Sequence, residues 1–113
     1  MNQLITLLSD LHTVSQDCLR YIKLKDSRKE DPKDSGVLGE YYGELETIAQ
    51  KISSIFDEQN DIDLVANSDL VSGVGRIVEF FSSMPNDEVI QDEDVEELNI
   101  PAMIAMAKKQ PKG

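Results

Sequence analysis

Residues 37–58 read VLGEYYGELETIAQKISSIFDE. Within this run Leu38, Tyr41, Leu45, Ile48, Ile52 and Ile55 recur at alternating steps of three and four. That spacing follows the turn of an α-helix and lays all six side chains along one stripe. Tyr42, Ala49 and Phe56 widen the stripe. The same rhythm flanks it on both sides. Leu4, Leu7, Leu11, Val14, Cys18 and Tyr21 precede it, and Leu70, Val74, Ile77, Phe81 and Met84 follow. Three amphipathic helices bury such seams by packing them together, so the chain is expected to be all-α. The expected architecture is an antiparallel bundle of three to four helices with a short C-terminal helical segment.

Working outward, the first helix is expected over residues 2–25. Ile5, Leu8, Leu19 and Ile22 broaden its apolar arc, which predicts contact with two neighbours. Residues 25–36 hold no large apolar side chain and contain Pro32 and Gly36, so they read as a charged, mobile connection. The third helix is expected over residues 69–84, with Asn67 or Ser68 as its cap and Pro85 as its stop. Gly73 and Gly75 inside it predict a close approach to the first or second helix. Gly39 and Gly43 form a G-x-x-x-G pair on the second helix, roughly opposite its seam. The motif marks close helix contact in membranes; in an acidic helix of this kind, coincidence or fraying near the helix start is the plainer reading. Residues 92–98 read as a short, weakly amphipathic helix, followed by a turn at Asn99-Ile100-Pro101. The domain boundary is placed there: residues 1–100 form the bundle, and 101–113 form a short apolar helical turn and a basic tail.

A chain of 113 residues is one domain, long enough to bury roughly two-thirds of its unfolded surface. There is no Trp, so the core rests on Leu, Ile and Val. A single cysteine excludes an internal disulfide or a cysteine-rich metal knuckle. Cys18 falls on the first seam and is expected to be a buried, inert thiol. The first residues lack the basic start of a signal peptide, Asp10 cuts their apolar run short, and no segment has the ~20 apolar residues that span a bilayer. A cytoplasmic location is expected.

Charge is distributed unevenly. Residues 1–36 are balanced, whereas residues 37–107 carry sixteen acidic side chains against only Lys51 and Arg76. Lys108, Lys109 and Lys112 follow, and the whole chain has a net charge of −11. Nucleic acid and anionic membranes are poor direct ligands for such a surface.

Parts for catalysis are scarce. The lone histidine, His12, lies off the main seam and reads as a partly exposed helical residue; a general base needs a second group to orient it. No nucleophile elbow, phosphate loop or H-E-x-x-H pattern is present. Asp57, Asp61 and Asp63 resemble the start of a calcium loop, but Ile62 and Ser68 stand where that loop needs Gly and Glu. Glu40 with Glu44, and Glu93 with Glu96 or Glu97, lie one turn apart. All-α pyrophosphatases hold magnesium with glutamates at tighter spacing on two successive helices, beside basic groups for phosphate. No cofactor, no metal site and no enzymatic activity are expected.

The expected function is a small interaction module that docks a basic protein partner through its acidic surface. Its residues are Asp87, Glu88, Asp92, Glu93, Asp94, Glu96 and Glu97, supported by Glu40, Glu44 and Glu46. Immunity proteins, antitoxin-like inhibitors and nucleic-acid mimics share this acid-rich helical style, an analogy of type that rests on no family motif. Against it stands the plain alternative of a solvated acidic face that only keeps the protein in solution. The second functional reading is a structural homodimer, motivated by the spare apolar residues of the first helix. Met103, Ile104 and Met106 form a candidate docking tail, with folding back onto the bundle as its alternative.

Overall fold

Five α-helices form among the described residues of the computed structural model, which are 2–32, 36–58, 68–83 and 89–109, the side chains of residues 2 and 56–58 excepted. They are α1 (Asn2–Ser27), α2 (Val37–Glu58), α3 (Ser68–Ser82), α4 (Asp92–Leu98) and α5 (Ile100–Lys108). Helix α1 packs on α2 and α5, and α3 packs on α2 and α5, so α1 and α3 lie across a diagonal. The result is an antiparallel four-helix bundle whose fourth position is filled by α5, with α4 as its lead-in against α3.

Side-chain contacts fix the register. The rings of Tyr21 and Tyr41 meet at 5.8 Å, joining the end of α1 to the start of α2. At that same end the Ile90 N–H donates to the Tyr42 hydroxyl at 3.1 Å, and Lys23 pairs with Asp92 at 2.7 Å. The chain therefore returns to the α1–α2 end before α4 begins. Asn99 turns it in the left-handed region at φ 53°, and Pro101 opens α5 at a position where its missing N–H costs nothing. Helix α5 then descends between α1 and α3.

The seam of α1 runs through Leu4, Leu8, Leu11, Ser15, Cys18 and Ile22, all buried. Leu7, Val14 and Tyr21 of the expected seam are only half-buried. The inward direction is rotated because α1 serves α2 and α5 together, and its wide arc has to face the space between them. Ser15 tolerates full burial because its hydroxyl donates to the His12 carbonyl at 2.7 Å. On α2, Tyr42 takes the buried place expected of Tyr41, and its hydroxyl accepts from the Ile90 N–H. Helix α3 keeps Leu70, Val74, Ile77 and Phe81 inward, as its spacing implies; Met84 lies outside the described residues.

Two expectations are corrected. Gly73 does admit a close neighbour, but on α5 rather than on α1 or α2: a Cβ at Gly73 would collide with the Met103 sulfur. Gly75 faces open space. Residues on both sides of the boundary drawn after residue 100 meet in the core. Ile100, Met103 and Ala107 share one core with α1, α2 and α3. Met103 is thus buried inside the bundle rather than offered as a docking residue, and Ile104 and Met106 are half-buried against the same core. The tail folds back because a helix apolar on most sides has to be covered, and α1 and α3 leave a channel of the right width.

Helix α1 outlasts its apolar pattern by two residues and ends in a Schellman motif. The Glu30 N–H donates to the Lys25 carbonyl at 2.9 Å and the Lys29 N–H to the Asp26 carbonyl at 3.0 Å. Lys29 occupies the left-handed position, at φ 58°, where glycine is usual. Pro32 is buried, so the charged connection is anchored at one point.

Candidate functional site

Helix α4 presents the densest run of carboxylates in the described residues. Val95 is buried and Leu98 half-buried, which pins one side of the helix to the bundle. Glu93, Asp94, Glu96 and Glu97 project from the rest and are exposed. Three ion pairs occur among the described residues: Arg20–Asp17 at 3.7 Å, Lys23–Asp92 at 2.7 Å and Lys25–Glu30 at 2.9 Å. Among the described residues, Asp92 is the α4 acid with an ion-pair partner.

The two ends of α4 differ in what their charges do for the helix. Asp92, Glu93 and Asp94 occupy the first turn, where unpaired N–H groups favour anions. Their presence has a structural cause. Glu96 and Glu97 occupy the other end, where no basic residue is present and where the dipole of α4 gives anions no support; the Asn99 N–H caps the Glu96 carbonyl there, and α5 begins at Ile100 directly beyond.

The other expected residues are not gathered into the same patch. Asp87 and Glu88 lie outside the described residues. On α2, Glu40 and Glu44 are exposed one turn apart and share a face. Glu46, also exposed, projects about 200° round the helix from Glu44 and accepts a hydrogen bond from Gln50 at 3.3 Å. No cluster of three or more His, Cys, Asp or Glu side chains with metal-binding geometry forms among the described residues. His12 is half-buried, and its Nδ1 is buried without a hydrogen-bond partner among them.

A feature that the sequence pattern does not display lies on the α1–α2 side. An open groove of about 470 Å³ runs between the two helices. Val14 and Ile48 form its apolar part, Thr13, Gly43 and Thr47 its small walls, and Asp10, Glu44 and Lys51 its charged rim. Beyond the lining residues, the Tyr41 hydroxyl is held above the ordinary tyrosine pKa, first by burial and then by the nearby Asp17 carboxylate, with Glu44 of the groove contributing. Periodicity locates each of these residues on its own helix. Only the register between α1 and α2, set by the Tyr21–Tyr41 contact, brings them together.

Comparison with protein-family models, with curated proteins and with solved structures finds no match for this chain. No helix among the described residues is long and apolar enough to cross a membrane.

Proposed function

We propose that the protein is a non-catalytic, cytoplasmic interaction module that docks a basic protein partner through its acidic surface, with α4 at the centre. The observation that carries this reading is the placement of Glu96 and Glu97. Both are exposed, neither has an ion-pair partner among the described residues, and both sit at the end of α4 where its own dipole does not call for anions. Exposed, unpaired carboxylates at that position are better explained by a partner than by the needs of α4. A role as an inhibitor or immunity-type protein, covering the basic face of a target, is the form of docking most in keeping with this surface.

The self-association reading has less to support it. Much of the wide apolar arc of α1 packs on α2 and α5 within the chain. Leu24 and Val37 are the exposed large apolar side chains among the described residues.

The test compares two immobilised proteins, the natural one and the Glu96→Lys/Glu97→Lys variant. Asp92 is left intact because it pairs with Lys23. Each is exposed to native lysate at low salt and eluted at high salt. A basic protein retained by the natural chain and lost with the variant is the expected result. Identical retention by both would remove α4 from the account. A circular-dichroism melt of the variant separates loss of binding from loss of fold.

A further inference from the structure

Gly39 and Gly43 lie inside α2, and a Cβ at either one would meet nothing within 4 Å. Interior glycine weakens a helix relative to alanine, and a close approach is the usual reason for it. Neither glycine has that reason within the chain. Gly43 instead leaves the wall of the α1–α2 groove bare. The Tyr21–Tyr41 ring contact sets the antiparallel register, which brings Asp17 level with Glu44 at one end and Asp10 level with Lys51 at the other. Two carboxylates, Asp10 and Glu44, and one ammonium, Lys51, therefore line this groove, and Asp17 adds a third carboxylate beyond its Glu44 end. Asp10, Glu44 and Lys51 have no ion-pair partner among the described residues, and Asp17 has only the long, exposed contact with Arg20.

We propose that this groove seats the side chain of a lysine or arginine carried on a basic segment of the protein partner. Its methylene stem lies against Val14 and Ile48, and its cation reaches Glu44, with Asp17 just beyond the groove. Long cationic side chains bury an apolar stem while keeping the charged head beside polar groups, and the groove offers both surfaces in that order. Bare backbone at Gly43 lets the segment that carries the side chain come close to α2. This assignment rests on the acidic-docking reading and adds to it a second contact point, away from α4.

The probe is a synthetic helical peptide of leucine and arginine, titrated into the full-length 15N-labelled protein. A second peptide of equal charge replaces each arginine by 2,3-diaminopropionic acid, which removes the stem. The assignment expects amide shifts at Thr13, Val14, Gly43 and Thr47. It also expects at least a tenfold loss of affinity for the short-stem peptide and for the Gly43→Leu variant. That variant keeps its melting temperature or raises it, because the new side chain enters open space. Shifts confined to α4, with Gly43→Leu binding as tightly as the natural chain, overturn the groove and leave docking through α4 standing. No binding of the arginine peptide to the natural chain overturns both.

Discussion

At the scale of single residues, burial decides chemistry here. Cys18 sits wholly inside the bundle, and burial pushes its thiol from the ordinary 9.0 up to about 12. A thiolate is the reactive form of cysteine, so the native protein should not react with a thiol reagent at pH 8. Labelling should proceed at the rate of opening; labelling at the rate of a free thiol would show that Cys18 is accessible. The sign of the linked stability effect follows from the raised pKa. The fold favours the neutral thiol, so the contribution is complete below pH 9 and is lost as pH climbs from there toward 12. Stability of the natural chain relative to Cys18→Ala should therefore narrow above pH 9 in urea melts. Burial of Cys18 was legible in the sequence, since it occupies a heptad position. Burial of Ser15 was not, because the pattern counts apolar side chains and has no means of registering a hydroxyl that satisfies itself on its own helix.

At the scale of elements, the same residue type has opposite meanings on two helices. Gly73 is occluded by Met103, whereas Gly43 faces open space. Gly43→Ala should accordingly stabilise the protein by about 1 kcal/mol through helix propensity alone. Gly73→Val should destabilise it by about 1–3 kcal/mol, since Met103 has to leave its place and α5 has to shift. Urea denaturation of both variants checks the pair, and Met103→Ala should recover part of the loss in the Gly73→Val background. Equal effects at the two glycines would contradict the packing of α5 on α3. The expected helices at residues 2–25, 37–58, 69–84 and 92–98 were readable because each has its own period and its own stops. What α5 does was not readable. A nine-residue apolar helix carries the same pattern whether it caps its own bundle or docks elsewhere, and the choice depends on the channel between α1 and α3.

At the scale of the whole molecule, a neutral first helix and connection are joined to a strongly acidic remainder. The sequence makes that asymmetry plain but gives no account of which carboxylates are structural. The fold separates them. Asp92 is tied to Lys23, Glu93 and Asp94 suit the start of α4, and Glu96 and Glu97, exposed and without an ion-pair partner among the described residues, are the ones assigned to docking in the proposal. Docking driven by such a surface should depend on salt, because exposed charges are screened beyond about 8–10 Å at ordinary ionic strength. It should also owe more to a fast encounter than to slow release. The most direct measurement is the association rate of the purified basic partner with the natural chain and with Glu96→Lys/Glu97→Lys, each at low and high salt. The account predicts an association rate that falls steeply with salt for the natural chain, and a variant that is at least tenfold slower at low salt with a flatter salt dependence. Equal rates and equal salt slopes for the two proteins would contradict it.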